Sequence, residues 1–341
     1  MTPRLISNPP NPWRSEHVEW LEPQPARLEI LADATREILS RNDSPDVGFG
    51  WSVNPYRGCL HACAYCYARA FHEYLGFGAG TDFETRLVVK LRAPELLRAA
   101  FERPGWSGET VAFSGATDAW QPLEAAYRLT RRCLEVCVEY RNPVAIVTKG
   151  ALLERDLDLL VALRDRARLG VAVSLPYADD ALARRLEPGA SSPSRRLRLI
   201  ARLAEAGLAP AVLVAPVIPG LDDELPRVLE AARSAGAARA GWQLLRLPGP
   251  VAPVFEARLR EALPERAERI LHLIRETRGG ALTDDRLGRR MRGVGAYAAT
   301  IAALFRASRE RLGYADAPLE EPERASSTFC RSGRGAQLAL L

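Results

Sequence analysis

Three cysteines, Cys59, Cys63 and Cys66, stand at steps of four and three residues in the stretch NPYRGCLHACAYCYARA. Thiolates are ligands for zinc and for iron, but a closed zinc site takes four protein ligands and no fourth cysteine lies nearby. A [4Fe–4S] cluster also has four iron corners, each usually held by a cysteine. Three cysteines would leave one iron open to a small molecule, as catalytic metal sites keep one position free. Each residue advances the chain by at most about 3.3 to 3.6 Å, so one short loop can wrap such a cube. The zinc alternative needs His61 or His72 as the fourth ligand, and His61 sits inside the first cysteine step, where it would strain a tetrahedron.

The other cysteines read differently. Cys133 and Cys137 share a helical stripe with Leu129 and Val136, which marks them as core, and Cys330 is alone in the polar run SSTFCRSGRG. The glycines of GFGAGTDFE follow a helical segment and lack the Lys-Ser/Thr of a phosphate loop, so this stretch reads as a connection.

Something must position the cysteine loop, and the chain offers a repeating frame. A short strand is expected near Phe49 to Asn54, followed by apolar runs TVAFS, VAIVT, VAVSL, AVLVAPVI and GWQLL, beginning at Thr110, Val144, Val171, Ala211 and Gly241. Nearly continuous apolar runs suit strands buried on both faces. Between them lie segments of helical period, including PLEAAYRLTRRCLEVCVEY and SRRLRLIARLAEAG. This alternation predicts an α/β fold with a parallel sheet, a partial barrel of six β/α units rather than an open doubly wound sheet. Each run ends in polar or special residues, namely Ser114 with Gly115 and Asp118, then Lys149, Ser174, PVIPG and Gln243. The carboxyl ends of barrel strands carry active sites. Residues 1–48 read as an amino-terminal extension, 49–276 as the barrel, 277–313 as a helical extension and 314–341 as a flexible tail.

With 341 residues the chain can bury a large core, and it contains no apolar run of membrane-spanning length and no secretory pattern at its start, so a cytoplasmic protein is expected. Its net charge of +5 and pI near 9.0 are compatible with a nucleic-acid partner without requiring one. Only Lys90 and Lys149 are lysines, all other basic side chains of that pair of types being arginine. That makes a lysine at a strand end noteworthy, as a contact for a ligand's carboxylate or phosphate.

The C-x3-C-x2-C spacing of Cys59, Cys63 and Cys66, with Tyr65 before the last cysteine, resembles the signature of radical S-adenosylmethionine enzymes. The resemblance implies a [4Fe–4S] cluster on the three cysteines, S-adenosylmethionine chelating the open iron, and its reductive cleavage to a 5′-deoxyadenosyl radical that abstracts hydrogen from a substrate. It further implies that Ser114, Gly115 and Asp118 meet the methionine moiety, Ser174 the ribose, and Val217 and Pro219, in APVIPGLDDE, the adenine. Within the superfamily, SVNPYRGCLHACAYCYAR and LEPGASSPSRRLRLIARLAEAG look most like the group related to spore photoproduct lyase. That group implies a radical relay through tyrosines beside the third cysteine, here Tyr65 and Tyr67, and a nucleic-acid substrate. Its hydrogen-donor cysteine at the end of the second strand has no counterpart near Ser114 or Gly115. Lys149 and Tyr67 are the candidate catalytic residues, and a flavodoxin- or ferredoxin-like protein the expected electron donor, with Arg57 and Arg69 as candidates for tuning the cluster or receiving that donor. A non-catalytic iron–sulfur protein and a zinc-stabilised nucleic-acid-binding module stay open as alternatives.

Overall fold

In a computed structural model the chain is described at residues 9–13, 27–113, 115–316 and 327–331. The described residues contain ten strands: β1 (Glu29–Ala32), β2 (Leu39–Arg41), β3 (Trp51–Val53), β4 (Tyr56–Arg57), β5 (Arg86–Val89), β6 (Val111–Phe113), β7 (Val144–Thr148), β8 (Leu169–Ser174), β9 (Ala211–Val217) and β10 (Arg239–Leu244). Seven form one sheet in the order β10-β9-β8-β7-β6-β3-β2, parallel throughout except for the antiparallel pair β2–β3. The six expected parallel strands are therefore all found, in chain order across the sheet. Strands β1, β5 and β4 make a small second sheet beside the cysteine loop.

The side chains of these strands alternate between the two faces of the sheet. Val111, Phe113, Val144, Ile146, Val171, Val173, Val212 and Val214 join the main core under the helices. Their neighbours point the other way and form a separate, smaller cluster of Ala172, Ala211 and Leu213 with Val147 and Ala215 against it, flanked by Ala112, Ala145 and Ser174.

The two edges of the sheet, at β2 and β10, both meet the segment 288–291. Asp46, between β2 and β3, accepts from Arg290 Nε at 2.5 Å and from the Gly288 backbone, while the Leu244 N–H at the end of β10 donates to the Met291 carbonyl.

One expectation needs revision. The helical run after Pro122 is broken into Leu123–Tyr127 and Leu129–Glu139, with Arg128 between them at φ 53°. The break is held by the buried Glu124 carboxylate, which accepts the Thr130 and Arg131 backbone N–H groups at 2.9 and 3.1 Å and so caps the second helix. In the carboxyl-terminal region, Tyr314 is buried with its hydroxyl donating to the Leu229 carbonyl, and Phe329 stacks on Tyr140 at 6.1 Å. Cys133 and Cys137 are buried in the core as expected, and Cys330 is exposed.

Candidate active site

The cysteine loop leaves β4 and enters the 3-10 helix Tyr67–Leu75. Cys59 and Cys63 are buried, Cys66 is half-buried, and all three are free thiols. Cys66 packs against both the apolar cluster that holds Cys59 and the one that holds Cys63. Among the described residues no three His, Cys, Asp or Glu side chains converge on a point suited to a single ion.

Three sets of contacts hold this loop. From below, Arg69, fully buried, donates from Nε to the Cys63 carbonyl at 3.0 Å and from its other nitrogens to the Ala79 and Gly80 carbonyls and to Glu84. Arg258 pairs with the same Glu84 and donates to the Ala62 carbonyl. Arg69 is thus an internal brace of the loop rather than a surface group. From the β6 end, Thr117 and Gln121 donate to the Gly58 carbonyl at 2.7 and 3.0 Å, and Gln121 accepts the Leu60 N–H. From the far side, the Ala64 N–H donates to the Leu186 carbonyl, and Gly189 lies so close that a Cβ there would sit 1.9 Å from the Leu60 oxygen.

The predicted residues sort as follows. Ser114 lies outside the described residues. The Gly115 N–H donates to Asn54 Oδ1 at 2.9 Å, so the NPYRG motif fixes the turn after β6. Asp118 is turned inward: it accepts the Thr148 hydroxyl at 2.6 Å and the Lys149 N–H at 2.8 Å, and faces His61 Nδ1 at 3.5 Å. Lys149 Nζ donates to Ser174 Oγ at 2.7 Å and to the Ala215 carbonyl at 3.1 Å, and lies 5.7 Å from the Tyr65 ring centre. Tyr65, Lys149 and Ser174 are thereby brought together. Tyr67 is 45% exposed, with its ring edge against Phe71. Val217 packs in the outer core, whereas its neighbour Ile218 joins Cys63 and Tyr65. Pro219 is buried in the turn that follows β9.

Two residues that sequence reasoning missed stand at the centre. The Glu187 carboxylate, wholly buried, accepts the Tyr65 hydroxyl and an Arg196 nitrogen, and its Oε1 lies 3.7 Å from Lys149 Nζ. Both belong to the LEPGASSPSRR stretch, whose sequence signal was a glutamate before Pro-Gly and a paired arginine.

The thiols differ electrostatically. Burial pushes the Cys63 thiol well above its ordinary value and the Cys66 thiol up to about 11. Burial also opposes ionisation of Cys59, but the adjacent His61 imidazolium outweighs it and draws that thiol down. Burial likewise disfavours charge on His61, yet Cys59 and Asp118 on either side raise it to about 10. The His61 imidazole thus lies between the Cys59 thiol and the Asp118 carboxylate. Burial lowers the Lys149 ammonium, with the thiols partly offsetting it.

Comparisons with known proteins bear on this arrangement. Residues 53–232 match the model of the radical SAM superfamily. An uncharacterized protein of Mycobacterium tuberculosis is 41% identical over 230 residues, covering 67% of this chain and 68% of its own length. A radical SAM Nalpha-GlyT isomerase of Pseudomonas phage M6 is 27% identical over 234 residues, covering 67% of this chain and 46% of that protein. Among solved structures, spore photoproduct lyase complexed with dinucleoside spore photoproduct superposes with a TM-score of 0.60 at 18% identity, over 83% of this chain and 79% of that one. No helix of the described residues is long and apolar enough to cross a membrane.

Proposed function

Because the chain belongs to the radical SAM superfamily and is an enzyme with the fold of spore photoproduct lyase, we propose that Cys59, Cys63 and Cys66 hold a [4Fe–4S] cluster. S-adenosylmethionine would then bind the open iron. When bound, this pair supplies reductive cleavage of the sulfonium and a 5′-deoxyadenosyl radical for hydrogen abstraction. The observation that carries the reading is the loop of three free thiols, Cys59, Cys63 and Cys66, within the span that matches the superfamily model.

The protein's own groups have definite tasks in this scheme. Arg69, Arg258 and Gln121 hold the backbone of the loop that carries the three thiols. Lys149, with two of its three ammonium hydrogens donated to protein acceptors, keeps one for an anionic group of the ligand, for which the methionine carboxylate is the candidate. Gly115 and Asp118 shape the methionine end, Ser174 the ribose side, and Val217 and Pro219 the turn that would back the adenine. Tyr67, 45% exposed and next to Cys66 in the chain, is the candidate to relay a hydrogen atom; Tyr65 is tied to Glu187.

The substrate proposed is nucleic acid. Support comes from the dinucleoside bound to the structural neighbour and from the net charge of +5. Photoproduct reversal through a strand-end thiol is not part of the proposal, since that position falls around Ser114 or Gly115 and neither is a cysteine. A flavodoxin- or ferredoxin-like donor in the cytoplasm would supply the electron.

The test is anaerobic reconstitution with iron and sulfide, chemical reduction, and chromatography for 5′-deoxyadenosine from S-adenosylmethionine, with and without single- or double-stranded DNA. Product in the native protein and none in Cys63→Ala is expected. Equal product from both would overturn the ligand assignment; nucleosides of unchanged mass after digestion would overturn the substrate class.

A further inference from the structure

The LEPGASSPSRR stretch carries no role in the scheme above, yet it supplies a carboxylate that faces the Lys149 ammonium, whereas Asp118 accepts the Lys149 backbone N–H. Two cations share that carboxylate. Arg196 is wholly buried and spends its guanidinium on three bonds: Nε to the Ser191 carbonyl at 2.6 Å, one terminal nitrogen to the Ser174 carbonyl at 3.0 Å, the other to Glu187. Lys149 is 15% exposed and approaches the same carboxylate at 3.7 Å, too far for a hydrogen bond but close for an ion pair. Glu187 Oε1 is already taken by the Tyr65 hydroxyl. The carboxylate is therefore anchored by Tyr65 and Arg196 and draws the Lys149 ammonium without binding it.

We propose that Glu187 is a positioning residue for Lys149: with Tyr65 and Arg196 as anchors, it fixes the ammonium over the cavity and leaves its remaining hydrogen free for the ligand. This rests on the reading that S-adenosylmethionine is that ligand. The geometry explains two sequence features together. A lysine stands at position 149, where a compact ammonium donates to Ser174 and Ala215 and still turns one hydrogen outward. A glutamate stands at position 187, since two cations packed at one spot in a low-dielectric interior need a counter-charge.

The test uses the fact that Lys90 and Lys149 are the only lysines. Protein grown with 13C-lysine gives two Cε resonances, assigned by Lys90→Met and Lys149→Met. Glu187→Gln, which keeps the shape but removes the charge and turns one of the two acceptor oxygens into a donor amide, should shift the Lys149 resonance and leave that of Lys90 in place. It should also weaken S-adenosylmethionine binding to the cluster-loaded protein at least tenfold by calorimetry, and have no further effect in a Lys149→Met background, because both changes remove one interaction. Glu187→Asp, which withdraws the charge by one methylene, should move the same resonance and covers the case in which the glutamine variant does not fold. An unmoved Lys149 resonance, or losses of affinity that simply add, would overturn the proposal and reduce Glu187 to a packing role. Failure of the native protein to bind S-adenosylmethionine would overturn the functional reading instead, with the resonance still deciding whether Glu187 positions the lysine.

Discussion

Replacing Arg69 by methionine removes the brace under the cysteine loop while keeping much of the side chain's apolar stem. Arg69 is 0% exposed, and its loss leaves the Cys63, Ala79 and Gly80 carbonyls without this donor. Glu84 is not stranded, because Arg258 still pairs with it, so the cost falls on the three carbonyls. A buried polar group that loses its partner costs about 1–3 kcal/mol. With some relaxation of the loop the sum is about 3–5 kcal/mol, in line with the loss of one partner from a buried pair. For a domain of this size that is a fall of roughly 6–10 °C in melting temperature. Calorimetry of the cluster-free protein reads the first effect. Iron per chain after reconstitution reads the second, which should fall by more than half since the Cys63 backbone is no longer held. Arg69→Lys should recover little, because a single ammonium cannot reach all these acceptors. A melting point within about 2 °C of the native value with full iron loading would refute the claim that this arginine organises the loop.

Other outcomes follow from particular contacts. Gly189→Ala places a Cβ 1.9 Å from the Leu60 oxygen, a backbone atom that cannot turn aside; the variant should fold but load little cluster, as measured by absorbance and iron content. Lys90 is held at about 8 instead of 10.5, first by burial and then by Arg57 nearby. Its charge therefore penalises the fold below about pH 8, and the penalty is relieved as pH rises from 8 towards 10.5, where only the unfolded chain keeps the proton. Lys90→Met should accordingly stabilise the protein at pH 7, by up to about 3 kcal/mol, and by progressively less towards pH 10 in denaturant titrations. Phe329→Ala removes the ring stacked on Tyr140 and edge-on to Phe101, and should cost about 1–3 kcal/mol without altering cluster loading.

What the sequence made legible was what is local. The three cysteines lie within eight residues, and each barrel strand announces itself as one apolar run, so the loop, the strands and the polar strand ends could be read directly. Glu187 could not, because nothing near it in the chain reveals that Tyr65, 122 residues away, donates to it. Gln121 and Asn54 escaped for the same reason, their partners being backbone groups 61 residues off. The helix break at Arg128 was hidden by good helical periodicity on both sides, and only the buried Glu124 cap explains it. At Val217 and Ile218 the sequence named the right strand end, but which of two neighbours packs with Cys63 depends on the pleat. Phe329 had one signal, a lone aromatic in a polar run, whose packing site is made by residues more than 180 positions earlier.

The central claim is a cluster held by three protein thiolates with one iron left for S-adenosylmethionine. Electron paramagnetic resonance of the reconstituted, reduced protein, recorded before and after S-adenosylmethionine is added, tests it most directly. The account predicts about four irons per chain, a reduced-cluster signal that changes shape on addition, and no signal from Cys63→Ala. Protein that carries only zinc, or a cluster whose spectrum is indifferent to S-adenosylmethionine, would contradict it.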